Sequence, residues 1–525
     1  MLRSNQFYQC YNYQPVPTKP GPTTLDPSTV AYGYTISTSG VYKLNGNAKI
    51  GYSIIITASN VELDLQGFTL SGDPLALQSS RTLSDASHHS SLDVGIVING
   101  SNNVTVRNGT ITGFSLTGIV IKNSNEIKLS HLSVLDNGSL TFDPSKGVSA
   151  GGIAHNTVNL VLYKSRFNNN YGIGFGAGLV SNVLIDLCTF DSNKGTNTNI
   201  GDFSYVCYGL LIYVGAPPTF TGPISKVTML NSTANNNSAP LTVMGIHIAN
   251  FANPPSVSAV VLDNVNANGN STSPNSSQVG TMGVTKGVFI SANNVVIRNC
   301  TCLDLSTSMS PYVDNQVSGI GVTGYDVTVD NCQVSGLSGS AQRMTGFDME
   351  TFGNNANFRN CKASNIKNSA SNTDSFSFGF GLEIPIIVNG TLTNVGTNAQ
   401  GKGLVIDGCI AQAVTGGQLA AGFAIGSEKG FLVKQSVSSF NSNGFIVHDY
   451  LPFPSSGGIF ESNYAYDNSN VGFLDHTTTN DVYIGNRARG NGTNYQGLPA
   501  GNPIVTWDPS TAAPTANSLS NLSIS

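Results

Sequence analysis

The chain has 525 residues, a formal net charge of −5 and only 10% charged residues, where a soluble domain usually carries about 25%. Six glutamates among 525 residues leave too few surface-type helix formers for a helix-rich fold. There is no basic stretch for phosphate-driven nucleic-acid binding, and no apolar run near the roughly 20 residues of a membrane-spanning helix.

In chain order, residues 1–34 come first, as a Pro/Tyr-rich N-terminal arm. Prolines recur from Pro15 to Pro27, a composition that keeps a segment extended. Residues 1–30 hold no charged segment followed by an apolar one, so no Sec-type signal peptide is expected.

A repeat then occupies residues 35–490. Units open on Gly plus an apolar residue: Gly95-Ile96, Gly118-Ile119, Gly152-Ile153, Gly172-Ile173, Gly209-Leu210, Gly245-Ile246, Gly287-Val288 and Gly319-Ile320. The series continues with Phe347, Phe380, Phe423, Phe445 and Phe473, each after Gly. A second strand follows in each unit and ends on Asn, as in Val104-Thr-Val106-Arg-Asn108, Val295-Val-Ile297-Arg-Asn299 and Val482-Tyr-Ile484-Gly-Asn486. Gly67 and Gly408 stand in for that Asn, and His131, Lys164, Leu187 and Gln435 break the column. Strict alternation means strands with one buried face. Strands this short bury that face only by stacking. Asn and Gly suit a bend because both tolerate the left-handed conformation.

These residues, with the opening Val61-Glu-Leu-Asp-Leu-Gln-Gly67, resemble the right-handed parallel β-helix proteins of pectin-lyase-like fold. The resemblance implies an all-β, single-stranded solenoid of about fourteen coils, flanked by the irregular arm and a tail or cap at residues 491–525. A β-propeller, the other repeat architecture weighed, needs blade signatures that the chain lacks.

Inside the solenoid, Cys188, Cys300, Cys332, Cys361 and Cys409 each follow the bend position. They read as a buried column of small, inert thiols. A disulfide pair or a thiolate metal site is the other reading, and parallel in-register side chains suit neither well. The five phenylalanines read as an interior ring stack, against the alternative of an exposed platform for sugars.

The outward positions of the first strand are mostly small and neutral, until the C-terminal third. There Asp348 and Glu350 appear on one coil, Glu383 on the next, and His448 with Asp449 two coils later; His476 follows. Carboxylates on adjacent coils, about 5 Å apart, disfavour double ionisation and have the separation of a retaining glycosidase pair. The competing reading is solvated surface. Asp348, Glu350, Glu383, His448 and Asp449 are therefore the candidate catalytic residues.

Enzymes of the resembled family carry further motifs. Of the polygalacturonase-type set only Asn372-Thr373-Asp374 is present. The pectate-lyase type uses a calcium-binding acid cluster and a catalytic Arg, and no motif for calcium is found. The epimerase-type Asp-Pro-His-Asp is only echoed by Gly346-Phe347-Asp348-Met349-Glu350 and His448-Asp449. No cofactor or metal is called for. His88 and His89 lie in a Ser-rich insertion, His247 points outward, and Asn-x-Ser/Thr triplets such as Asn103 and Asn491 read as bend geometry before glycosylation. Trp507 is the single tryptophan and the anchor of the tail. The sequence reading is a non-catalytic structural or adhesive rod on a microbial or virion surface, contacting glycans. Self-association as a trimer and contact with other surface proteins fit it, without nucleic acid or membrane insertion. The alternative is a polysaccharide lyase, glycoside hydrolase or epimerase using the acidic C-terminal face.

Overall fold

The structure is a computed structural model. It describes residues 21–72, 94–139, 149–196, 205–214, 224–250, 257–273, 283–308, 315–349, 354–371, 375–382, 386–388, 391–393, 401–426, 428–448, 455–477, 481–499, 502, 504–507 and 520–524. Among these, strands dominate, and nearly all pair in parallel from coil to coil. The exception is a small antiparallel hairpin of Ile386–Val388 with Thr391–Thr393.

The winding follows from the repeat. One inward column runs in register through Tyr34, Ile54, Ile96, Ile119, Gly152, Phe175, Leu210 and Ile246. It continues through Val288, Ile320, Phe347, Phe380, Phe423, Phe445, Phe473 and Tyr495. That is sixteen coils among the described residues, one more at each end than the fourteen read from sequence. At about 4.8 Å per coil the stack is roughly 70 Å long. Thr23–Leu25 pairs with Gly40–Leu44, so strand pairing begins within the first 34 residues. Thr493–Gln496 and Asn521–Ile524 stack on the last coils.

Two unit openings differ from the sequence reading. Ile153 and Ile173 face outward, and the inward slots belong to Gly152 and Phe175. The ring of Phe175 explains the exchange: a Cβ on Gly152 would meet it at 2.7 Å. Consecutive glycines at 151 and 152 make a one-residue slip invisible in the pattern, and such a slip flips a strand's faces.

The second-strand bend is left-handed whatever residue occupies it. Asn108, Asn299 and Asn331 have φ of 58°, 55° and 51°. His131, Lys164, Leu187 and Gln435 have φ of 54°, 46°, 56° and 50°. The stacked Asn side chains also bond between coils, as in Asn331 Nδ2 to Asn299 Oδ1 at 2.8 Å. In the last complete unit the expected bend residue, Asn486, is displaced: Gly485 makes the turn with φ of 61°, and Asn486 is buried.

The residue after this bend starts an internal ladder. Its main-chain N–H donates to the side chain one coil on: Ser436 to Asn463 Oδ1 (3.0 Å), Asn463 to Asn486 Oδ1 (3.0 Å), Asn486 to Asn521 Oδ1 (3.2 Å). The cysteine column is the middle of this ladder. Backbone N–H groups of Ser165, Val265, Cys300 and Cys332 point at the sulfurs of Cys188, Cys300, Cys332 and Cys361. The thiols return bonds to carbonyls, such as Cys361 Sγ to Arg359 O at 3.1 Å. All seven cysteines in the described residues are buried and free. A parallel ladder joins Asn137, Asn170, Asn193, Asn237 and Asn270. These rungs satisfy buried polar groups that would otherwise go unpaired at the corners.

The phenylalanines form the expected interior stack. Centroid separations are 4.7, 4.7, 4.7 and 4.9 Å from Phe347 through Phe473, and Tyr495 extends the stack at 5.1 Å. Phe358, Phe460 and Tyr483 meet its edges.

Candidate functional site

The candidate site is the outward face of the glycine-started sheet. Outward phase does not mean solvent here. Tyr208, Leu211, Met244, His247, Val284 and Lys286 all face outward and are buried. His247 sits between the rings of Tyr208 (5.4 Å) and Phe289 (5.5 Å), and Lys286 Nζ lies 3.9 Å from the Phe289 centroid.

Asp348 lies farther along this face, flanked in register by Gly321 and Gly381. It is only 2% exposed and accepts a hydrogen bond and ion pair from the Arg343 guanidinium, itself buried. Arg343 and Asp348, five apart on the strand Arg343–Met349, meet on one face. Thr345 stands between them, with Gln316 and Ser318 in register one coil earlier. The result is a covered polar patch in which the carboxylate is neutralised by its own strand.

Of the other candidates, only His448 lies within the described residues. Glu350, Glu383 and Asp449 lie outside the described residues. His448 is half-buried, in register with Gly426, and its ring stands 5.3 Å from that of exposed His476 on the next coil. His88 and His89 also lie outside the described residues.

Sequence reasoning missed Lys286 and Arg343. It tested outward positions after each Gly but not those before it, where Lys286 precedes Gly287 and Arg343 lies three before Gly346. It also missed an inward acidic pair at the C-terminal end. Asp475 Oδ1 accepts from Thr477 N (2.8 Å) and Oγ1 (2.7 Å), and its Oδ2 accepts from Tyr483 Oη (3.1 Å). Asp481 Oδ1 accepts from Gly458 N at 2.7 Å. Burial first, then the nearby Asp475 and Asp481, push the Tyr483 hydroxyl well above the ordinary tyrosine range. The phenol therefore keeps its proton and donates a hydrogen bond to Asp475. Among the described residues no group of three or more His, Cys, Asp or Glu side chains is placed to hold a metal ion.

Comparisons fit this geometry. The model of the right-handed β-helix region family matches residues 75–265. A sequence comparison with curated proteins finds no significant match. By structure the chain is similar to PfbA, a surface adhesin of Streptococcus pneumoniae, at 13% identity, 61% of this chain, 82% of that one and a TM-score of 0.38. It is similar to the Dettilon tailspike protein at 11% identity, 96% and 68% coverage and a TM-score of 0.31. It is also similar to a hyperthermoactive exopolygalacturonase from Thermotoga maritima at 9% identity, 63% and 93% coverage and a TM-score of 0.32. With its parallel coils in register and that match over residues 75–265, the chain has the fold of the right-handed parallel β-helix proteins.

Proposed function

We propose that this chain is a non-catalytic structural or adhesive rod, carried on a microbial or virion surface, where it contacts glycans. The observation that carries this reading is the state of Asp348. A carboxylate that is buried and paired with Arg343 is part of the wall, and a general acid or nucleophile needs access to substrate. The internal ladders support the mechanical half of the reading, because over several runs of coils they tie one coil to the next by side chains as well as by strands. No helix among the described residues is long and apolar enough to cross a membrane.

The test is a screen of acidic and neutral polysaccharides for retention, for new reducing ends and for the absorbance of unsaturated sugars. Retention without turnover is the expected result. Reproducible turnover of any glycan overturns the reading. The trimeric assembly that goes with it is tested by mass in solution.

The second reading is a polysaccharide lyase, hydrolase or epimerase. The observation in its favour is the His448–His476 pair, two imidazoles one coil apart on the C-terminal outward side. It requires turnover that His448→Ala, Glu350→Gln or Glu383→Gln abolishes.

A further inference from the structure

The third sheet, the one after the Asn bend, changes its outer surface near the C-terminus. Its first outward column is polar from Ser133 to Lys362, then becomes Ile410, Val437, Tyr464 and Arg487. Two residues along each strand, Tyr466 stands in register with Arg489. Ala465 and Ala488 between them point into the core, which fixes the outward aim of all four.

Tyr464 and Tyr466 are 42% and 37% exposed, and both arginines are exposed. Neighbouring coils lie about 4.8 Å apart and alternate strand residues roughly 6.7 Å apart. The four side chains therefore mark the corners of one small open rectangle. The Arg487 guanidinium lies 5.5 Å from the Tyr464 centroid. Phe440, 50% exposed, meets Tyr466 edge-on at 5.8 Å and extends the aromatic surface. Neither arginine belongs to the ion pairs of the described residues. The chain has only nine arginines, and two of them, outside the ion pairs of the described residues, stand on this single aromatic face, with exposed Asp467 at its edge.

We propose that Tyr464, Tyr466, Arg487 and Arg489 form a binding site for a carboxylated polysaccharide. The C–H face of a pyranose ring is apolar and flat enough to cover a phenol ring. A uronate carboxylate matches the planar donor fork of a guanidinium. Two Tyr–Arg pairs side by side offer both contacts twice. This deepens the glycan contact proposed above and rests on it, but uses neither Asp348 nor the histidines.

The test uses the full chain with polygalacturonate, dextran, dextran sulfate and anionic phospholipid vesicles. Polygalacturonate should bind and dextran should not. The double variants Tyr464→Ser/Tyr466→Ser and Arg487→Gln/Arg489→Gln should each weaken polygalacturonate binding at least tenfold. The charge-matched control Arg166→Gln/Arg298→Gln, elsewhere on the rod, should bind as wild type. If a double variant melts early, Tyr466→Gln and Arg489→Gln alone replace it with the same expected direction. Absence of polygalacturonate binding overturns the site, as does an equal loss in the control, or equal binding of dextran sulfate or vesicles. Wild-type binding that ignores both double variants also overturns it and leaves the glycan reading standing. Turnover of polygalacturonate overturns the non-catalytic reading and leaves the site.

Discussion

The main-chain N–H of Cys409 donates to the hydroxyl oxygen of Ser436 on the next coil, at 3.2 Å. Thiol and hydroxyl thus hold the same post in one ladder, which passes from cysteines to Ser436 and then to Asn463, Asn486 and Asn521. Cys332 is a middle rung. Its replacement by Ser keeps an acceptor for the Cys300 N–H and should stay within about 1 kcal/mol of wild type. Cys332→Val removes the acceptor and should cost about 1–3 kcal/mol, the penalty of an unsatisfied buried donor. Urea unfolding of the two variants decides between a hydrogen-bonding and a purely space-filling column.

The same burial controls thiol chemistry. Cys188 is raised from 9.0 to about 12, chiefly by desolvation. The native protein keeps this proton where the unfolded chain loses it. The corresponding stability is therefore complete below about pH 9 and falls as pH rises from 9 towards 12. Melting temperatures should decline across that window. At pH 8 the seven described cysteines should resist thiol reagents until denaturant is added. Rapid native-state labelling of Cys300, Cys332 or Cys361 would contradict the buried ladder.

Leu187 carries a strained bend. It is left-handed, with φ of 56°, and 44% exposed. Asn231 occupies the same column one coil later and reaches back to Asp186 Oδ1 at 3.0 Å. Leu187→Asn should stabilise the protein by about 1 kcal/mol, because Asn adopts this conformation at lower cost. A lower melting temperature for the variant would remove backbone conformation as the reason for the Asn column.

Arg343 and Asp348 form a buried ion pair, so breaking it from one side leaves an uncompensated charge. Arg343→Met or Asp348→Leu alone should cost about 3–5 kcal/mol, while the double variant should recover most of the loss. A double-mutant cycle by chemical denaturation measures this. Full additivity of the two losses would show that the carboxylate and guanidinium do not depend on each other.

Much of the winding is legible before folding is considered. Alternation marks the inner phase, and the inner phase correctly places Phe347 through Phe473 and the cysteines. Asn at a recurring bend reports a backbone requirement that His131 and Leu187 then meet without the preferred side chain. The failures have local causes. Gly151-Gly152 hides a one-residue offset, because glycine has no side chain to show which face it uses. Gly485-Asn486 offers two residues able to turn, and the backbone takes the glycine.

The candidate site was less legible, for a different reason. Periodicity says which way outward residues such as Asp348 point, and Asp348 does point out of the coil. It cannot say what lies over them, since exposure depends on contacts between segments distant in the chain. Only the folded structure sets Arg343 against Asp348 along one strand, and buries that pair. Only the register between coils sets Tyr464 over Arg487 and Tyr466 over Arg489, because a solenoid aligns residues by the length of each turn and not by their neighbours in sequence. The amino-acid sequence by itself determined that the chain coils, which side chains fill it and where it bends. The stacking of the coils decided which of the outward side chains meet one another, and which of them meet water.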